Sequence, residues 1–217
     1  MKNFLVIIFA LSFFSQKSFS QFSFSAGPSL IKPFGIQKAY PGFHLGAEFS
    51  NDDVTTMYAR FSFMPAQKGT PTTLYVTGVD FNVDPYNIEV SSTEKFNYSM
   101  LEFGKRYYFG EGYESGFGVY GGSNMSVVFN KVKNELGDYD HSKYQSPTTG
   151  EDFGTIIGLA LGLNAGVKNS FYFGTLYFDA GLNYKLLALG SNATANNSTQ
   201  YTSLFFTFNF GIRKDFY

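Results

Sequence analysis

Two histidines are the first side chains to test for catalysis in this sequence of 217 residues. His44 lies near the outer end of a predicted strand, on its polar face, with serines such as Ser29 within plausible reach. A histidine beside a serine and an acid could activate the hydroxyl for attack on an acyl group. No spacing singles out such a triad, and His141 lies in a long polar loop. We therefore expect no catalytic residue.

The segment GDYDHSKYQSPTTGED is the one stretch whose spacing suggests a metal site. Asp138, Asp140 and Ser142 occupy the first three ligand positions of a calcium-binding loop. The sixth position is Lys143 where such a loop needs glycine, and the twelfth is Thr149 where it needs glutamate. A solvated acidic loop is the favoured interpretation, so we expect neither a metal nor a cofactor.

Seven charged side chains stand on the small, polar faces of otherwise apolar segments. They are Glu48, Arg60, Glu102, Arg106, Asp179, Lys185 and Arg213. If those faces line the inside of a barrel, the charges should pair, because an unpaired buried charge is costly. We expect a packed polar plug in which the arginines have the acids as neighbours. On adjacent strands Glu48 can approach Arg60 and Asp179 can approach Arg213, depending on the relative heights of the strands.

The composition excludes several classes of chemistry. The chain has no cysteine, which removes disulfides, thiolate metal sites, a cysteine nucleophile and a lipoprotein signal. Aromatic residues make up 20% and charged residues only 15% of the chain, and the formal net charge is −1. This balance gives no indication of nucleic-acid binding.

Period-two alternation of large apolar and small or polar residues recurs along the chain and predicts strands. We expect eight of them, at about 22–30, 42–51, 54–64, 97–109, 116–130, 154–168, 171–186 and 200–214. The segment TIIGLALGLNAGV has glycines at helix-dimerisation spacing, but it is too short to span a membrane as a helix. It also alternates with period two, so we assign it to a strand.

The connections between these strands alternate in length, which predicts how the strands are arranged. They run roughly over 31–41, 52–53, 65–96, 110–115, 131–153, 169–170 and 187–199, alternately long and short. Outer-membrane barrels have long external loops and short periplasmic turns. The faces rich in Phe and Leu suit lipid, whereas the small polar faces suit a cramped interior. We predict an all-β, eight-stranded antiparallel up-and-down transmembrane β-barrel of OmpX-like or OmpA-like architecture, with a plugged interior.

The two ends of the chain suggest export and assembly. Residues 1–20 contain Lys2, then an apolar run, then small residues just before Gln21. This order is typical of a cleaved secretory signal peptide. Residues 21–217 then form one barrel domain in the cell outer membrane. The terminal Phe216 and Tyr217 resemble the signal that the outer-membrane assembly machinery reads on its clients.

The second long connection is long enough for a hairpin of its own. TTLYVTGVDFNV and NIEVSSTEKFNYS both have strand character. We expect Tyr75, Val76, Phe81, Val83 and Ile88 to form an apolar extension above the membrane, one use of which is binding a partner.

Three segments resemble the PorT-like outer-membrane β-barrel proteins of Bacteroidetes: NYSMLEFGKRYYF, SFMPAQKG and EDFGTIIGLALG. The family's proline-rich stretch after Leu-Glu is replaced here by Phe103–Arg106. The resemblance implies a non-enzymatic barrel that serves as an accessory or scaffold subunit of an envelope complex, since the founding member is implicated in protein secretion. The alternatives are a lipid-modifying enzyme and a stand-alone surface or adhesion barrel. Expected partners are outer-membrane lipid and lipopolysaccharide, the assembly machinery and other envelope proteins.

Overall fold

A computed structural model describes residues 21–110, 112–114, 116–146, 153–191 and 202–216. Its strands are β1 (Phe22–Pro33), β2 (Tyr40–Ser50), β3 (Thr55–Lys68), β4 (Thr72–Gly78), β5 (Asn87–Gly110), β6 (Phe117–Leu136), β7 (Tyr144–Gln145), β8 (Phe153–Phe171), β9 (Gly174–Gly190) and β10 (Leu204–Phe216). None of the described residues belongs to a helix that is long and apolar enough to cross a membrane.

Eight of these strands close into a ring. β1 pairs with β2 on one edge and with β10 on the other, so the first and last strands close the barrel. β3 pairs with β5, and the remaining ring strands pair in chain order, each antiparallel to its neighbours. This confirms the predicted all-β, eight-stranded antiparallel up-and-down barrel.

The alternation in sequence becomes an inside and an outside. In β9, Tyr177 and Asp179 are buried whereas Phe178 and Leu182 are exposed. Successive side chains of a strand point to opposite faces, so one face of each strand lines the lumen and the other faces outward. An eight-stranded barrel has an interior that side chains alone can fill.

The two ends of the barrel differ in their connections. The short-turn end carries residues 51–54, 111–116 and 172–173 together with both ends of the described ring, and the long-loop end carries the remaining connections. The turn predicted at 169–170 is wrong. Lys168 points into the barrel and donates to the carbonyl of Gly116 at 3.2 Å, so β8 continues to Phe171. The chain reverses instead at Tyr172 and Phe173.

Strands at the long-loop end extend beyond their predicted limits. β5 begins at Asn87 and β6 ends at Leu136, because the alternation continues past the large apolar residues. β4 forms the predicted hairpin with β5, from Thr72 opposite Ser92 to Thr77 opposite Asn87. β7 adds two residues to the free side of β4. We call β4, residues 87–92 of β5, and β7 the hairpin sheet.

Candidate functional site

The lumen near the short-turn end holds a connected network of charged side chains. We call it the charge cluster, and its members are Glu48, Arg60, Glu102, Arg106, Asp179 and Arg213. All six are buried, and they come from five different strands of the ring. Period two turns each position inward, and the closed ring then brings positions far apart in sequence into contact.

Asp179 is the acceptor at the centre of the charge cluster. Arg60 donates to its Oδ2 at 2.8 Å, and Arg106 donates to the same oxygen at 2.9 Å. Asn209, which lies directly opposite on β10, donates its side-chain amide to Oδ1 at 2.8 Å. Both oxygens of this buried carboxylate are therefore satisfied, as a buried charge requires.

Glu48 is the second acceptor and lies closer to the short turns. It accepts from Arg106 at 2.8 Å and from the Tyr108 hydroxyl at 2.6 Å. The Thr56 hydroxyl donates at 2.5 Å, and the Arg213 guanidinium lies 3.7 Å away. Arg106 therefore bridges Glu48 and Asp179, so the two acids share one guanidinium.

Glu102 completes the set of acids. Arg60 donates to it at 2.9 Å across the β3–β5 ladder, where the two residues lie directly opposite. The Tyr58 hydroxyl also donates to Glu102. The guanidinium of Arg106 lies 4.1 Å from the centre of the Tyr58 ring, a cation–π contact that supports the flat face of the arginine.

The arginines and acids of this network are neighbours, as predicted, but two of the pairings considered do not form. Among the described residues, Glu48 forms no ion pair with Arg60, and Asp179 forms none with Arg213. The β2–β3 ladder places Glu48 opposite Tyr58 instead. The register between strands sets the height of each residue along the barrel axis, and this height decides which side chains meet. Several of the arginines then reach across the lumen.

The half of the lumen nearer the long loops is filled by apolar side chains. We call this group the apolar plug, and its members are Ile31, Tyr40, Met64, Phe96, Tyr98, Met100, Val128, Val132, Ile156, Ala160 and Phe205. The ring centres of Tyr40 and Tyr98 are 4.9 Å apart, and those of Phe96 and Tyr98 are 5.0 Å apart. The expected packed polar plug therefore does not extend through this half of the lumen.

Lys185 lies with the apolar plug and apart from the charge cluster. Its side chain is buried, and its Nζ is 5.4 Å from the ring centres of both Tyr98 and Phe205. Of the seven charged positions singled out in the sequence, the structure brings six into one network and places this lysine against aromatic faces.

The charge cluster is tightly packed. A cavity at its edge, lined by residues such as Ser25, Tyr58 and Tyr177, has a volume of about 10 Å³, which is about the minimum that holds one water molecule. The charge cluster fills the lumen near the short-turn end and the apolar plug fills it near the long-loop end, so side chains occupy both halves.

His44 is buried in the lumen, which corrects its expected place at a solvated rim. Its Nε2 is hydrogen-bonded to the hydroxyl of Tyr177. Ser29 donates its hydroxyl to Asn209 at 2.5 Å, whereas the hydrogen bond of His44 is to Tyr177. His141 packs against the ring of Tyr139, with ring centres 4.1 Å apart. The two histidines therefore take part in separate structural contacts.

In the acidic loop around Asp138–Ser142, the carboxylate of Asp140 bonds to neighbouring residues of the same loop. Asp140 accepts from the backbone amide of Ser142 at 3.0 Å and from its hydroxyl at 2.6 Å. Lys143 lies 3.7 Å from the same carboxylate. Within the described residues, no group of three or more acids and histidines is placed to hold a metal ion. Thr149 lies outside the described residues.

The hairpin sheet has a small apolar cluster of its own. Val76, Val90 and Tyr144 are buried in it, and Val83 and Ile88 pack against them. The Tyr144 hydroxyl donates to the carbonyl of Pro85 at 3.0 Å, which ties β7 to the hairpin tip. This packing holds the sheet beyond the barrel rim as an ordered extension.

Aromatic side chains lie exposed on this extension. Phe81 is 92% exposed and stacks on Tyr86, with ring centres 5.4 Å apart. Tyr75 is also exposed and donates its hydroxyl to Glu89 at 2.7 Å. An exposed aromatic stack on a packed support is typical of a binding surface.

The outer wall of the barrel carries a continuous belt of large apolar side chains. Exposed members include Phe24, Phe43, Leu45, Met57, Phe61, Phe103, Phe109, Val119, Met125, Phe129, Ile157, Leu161, Leu163, Val167, Phe178, Leu182, Phe210 and Ile212. Lys105 interrupts the belt near the short-turn end, and its ammonium lies 4.9 Å from the ring centre of Tyr107. Such a belt suits hydrocarbon rather than water.

The terminal aromatic residues meet where the ring closes. Phe216 lies opposite Phe22, and their rings stack with centres 5.3 Å apart. Tyr217 lies outside the described residues, as does the whole segment 1–20. Phe216 thus contributes to the outward apolar surface at the short-turn end.

Comparison with known proteins gives likeness in shape but no family. No family model matches the chain, and no curated protein matches it. The chain is similar to the solved structure of Neisserial surface protein A, with 14% identity, a TM-score of 0.49, and coverage of 90% of this chain and 96% of that one. It is also similar to the outer membrane protein OprG of Pseudomonas aeruginosa, with 12% identity, a TM-score of 0.48, and coverage of 91% and 96%.

A third similar structure is Ail, the attachment invasion locus protein of Yersinia pestis, solved with the heparin analogue sucrose octasulfate. It has 16% identity, a TM-score of 0.45, and coverage of 89% of this chain and 98% of that one. The identities and TM-scores are low although the coverage is high, so the function proposed for this chain rests on its own strands and side chains.

Proposed function

We propose that this chain is an integral outer-membrane β-barrel that conducts no solute and acts as an accessory or scaffold subunit of an envelope complex. The belt of apolar side chains around a closed ring supports the membrane location, because a barrel leaves no unpaired backbone in lipid. A cleaved export signal at 1–20 and recognition of Phe216 and Tyr217 by the assembly machinery belong to the same proposal.

The filled lumen is the observation that carries the non-conducting role. The charge cluster occupies the half near the short turns, and the apolar plug occupies the half near the long loops. An ion would have to break several charge-assisted hydrogen bonds and then cross a layer of packed aromatic and aliphatic side chains. The buried, hydrogen-bonded state of His44 also argues against a hydrolytic site on the lumen wall.

The hairpin sheet is the element that we assign to partner binding. It projects beyond the barrel rim on packed support and displays Phe81, Tyr86 and Tyr75 to the outside. Aromatic residues are enriched at protein interfaces because they bury a large area at a low cost in side-chain entropy. The resemblance to the PorT-like group points to a complex for protein secretion.

Fractionation and conductance test the barrel itself. The protein should fractionate with the outer membrane, migrate faster on a gel before boiling than after it, and give no conductance steps in a planar bilayer. Recovery as a soluble protein would refute the membrane barrel. Stable single-channel steps would refute the closed lumen.

Extraction in a mild detergent tests the accessory role. A partner should co-purify in fixed proportion with the wild type, and Phe81→Ser should reduce its recovery. Phe34→Ser is the matched control, because Phe34 is also an exposed aromatic residue at the long-loop end but belongs to another connection. Equal recovery from both variants would remove the hairpin sheet from the interface.

A stand-alone surface or adhesion barrel is the second candidate, and the open edge of β4 favours it. Within the described residues, one edge of β4 pairs with β5, whereas the other pairs with β7 only at Thr77 and Gly78. An open edge can accept a strand from another protein. This role is supported if no envelope protein co-purifies and if Phe81→Ser lowers attachment of intact cells to a surface.

A further inference from the structure

Lysines stand directly opposite one another on three adjacent strands at the upper margin of the apolar belt. Lys68 on β3 pairs with Lys95 on β5, and Lys95 pairs with Lys133 on β6. Lys131 lies two residues from Lys133 and therefore on the same face of β6. We call these four residues the lysine row.

The lysine row faces outward. Its neighbours Phe96 and Val132 are buried in the apolar plug, so alternation turns Lys95, Lys131 and Lys133 away from the lumen. Lys131 follows the exposed Phe129 on the same face of β6, which places the row immediately above the last apolar residues of the belt. This is the height of lipid headgroups for a barrel in a bilayer.

Within the described residues, the positive charge of the row exceeds the negative charge beside it. Like charges directly opposite each other on a sheet are destabilising. Glu135 forms an ion pair with Lys95 and lies 3.4 Å from the ammonium of Lys68. For Lys131 and Lys133, no acid of the described residues lies within ion-pair distance. The hydrogen bond from Lys95 lowers the pKa of Glu135, which keeps this acid charged.

Within the described residues, the outward faces of β8 and β9 carry no charged side chain at the height of the lysine row. The β6–β8 ladder places Thr155 opposite Lys131, and Ser191 donates its backbone amide to the carbonyl of Thr155 at 2.8 Å. Further along β9, Leu187 and Leu189 are exposed. The strands β3, β5 and β6 thus carry a cationic headgroup-level surface, whereas the described parts of β8 and β9 carry an uncharged one.

We propose that the lysine row binds the phosphate groups of lipopolysaccharide in the outer leaflet. This inference rests on the proposed membrane location and names one lipid partner and its site. Ammonium groups bind phosphate as point charges with three donors each, and their stems lie along apolar surface while the charged ends reach the headgroups. Phosphate would supply the negative charge that Glu135 alone does not.

The test uses the full-length protein purified in detergent, with lipopolysaccharide titrated by native mass spectrometry or fluorescence. The variant Lys95→Gln/Lys133→Gln should bind lipopolysaccharide about tenfold more weakly or worse, because each lysine near an anionic lipid surface contributes to binding. Lys105→Gln/Lys214→Gln is the matched control, since it removes two outward lysines near the short-turn end. That control should bind as the wild type does.

Two further arms identify the ligand chemistry. Lipopolysaccharide stripped of its phosphates should bind the wild type as weakly as the intact lipid binds the double variant, and inorganic phosphate should not compete at similar concentrations. Raising the salt concentration should weaken wild-type binding. Equal affinity of the two double variants, or of the two lipid forms, would overturn the proposal.

Gel mobility before and after boiling is measured on every variant, which separates the two proposals. If the lysine-row variant folds into a barrel and binds lipopolysaccharide as tightly as the wild type, this inference is refuted and the membrane role is unaffected. A wild-type protein that does not enter the outer membrane refutes the proposed function first. The second pair Lys68→Gln/Lys131→Gln repeats the test if the first variant does not fold.

Discussion

The two halves of the lumen are built from different interactions on the same strands. In β5, Met100 belongs to the apolar plug and Glu102, the next inward position, belongs to the charge cluster. The charge cluster depends on distances and angles between specific atoms, because a buried charge without its partner is costly. The apolar plug depends on volume and shape, which tolerate similar side chains. Neighbouring layers of one barrel should therefore respond very differently to conservative changes.

The largest expected effect comes from removing the central acceptor of the charge cluster. Asp179→Leu takes an acceptor from both Arg60 and Arg106, so we expect unfolding to become easier by about 3–5 kcal/mol. Urea unfolding in detergent, monitored by gel mobility without boiling, measures it. Phe178→Leu on the outer wall is the control and should change stability far less, since one apolar group replaces another. Equal midpoints for the two variants would contradict a charge cluster that holds the barrel together.

A matched pair in β5 compares the two layers directly. Glu102→Gln keeps the shape but weakens the bonds from Arg60 and Tyr58, and should cost about 1.5–3 kcal/mol. Met100→Leu, two residues away and equally buried, should cost less than about 1.5 kcal/mol. The same urea series measures both. If Met100→Leu lowers the free energy of unfolding more than Glu102→Gln does, the proposed difference between the two layers is wrong.

The hairpin sheet should respond independently of both layers. Val76→Ala opens its small cluster and should destabilise that sheet locally by about 1 kcal/mol. Hydrogen exchange of the β4 amides should accelerate while exchange in β9 stays unchanged. A matching loss of protection in β9 would show that the sheet and the barrel unfold as one unit.

The smallest effect is expected at the exposed ion pair of the lysine row. Glu135→Gln removes the partner of Lys95 and Lys68, yet all three side chains are at least partly exposed, and ion pairs at the surface contribute little. We expect no measurable change in the urea midpoint. A loss as large as that of Asp179→Leu would mean that exposure does not separate the two kinds of ion pair.

The barrel could be predicted because its signal is local and repeated. Alternation along each strand and the long-short order of the connections indicate strand number, direction and facing without any long-range information. The hairpin of the second connection was predicted from the same signal. The turn after β8 was misplaced, because Lys168, Asn169 and Ser170 form a polar cluster typical of a turn. In the closed barrel Lys168 reaches Gly116 and the strand continues.

The contents of the lumen were only partly predictable. Each of the seven charged positions could be placed on an inward face by alternation, but their partners could not be chosen. The apolar plug was missed, although Phe205 on the small face of β10 and Met100 on that of β5 were its signals. A single aromatic residue on a polar face is ambiguous until the ring brings other apolar residues to the same height.

The sequence by itself determined the strands, their faces and the order of the ring, because these depend on period two and on the lengths of connections. Only the tertiary structure decided that Arg106 joins Glu48 to Asp179, that Lys185 lies against Tyr98 and Phe205, and that the lysines of three strands share one row. Each of these facts depends on the relative height of strands. The stagger of the closed ring sets that height, and no single strand encodes it.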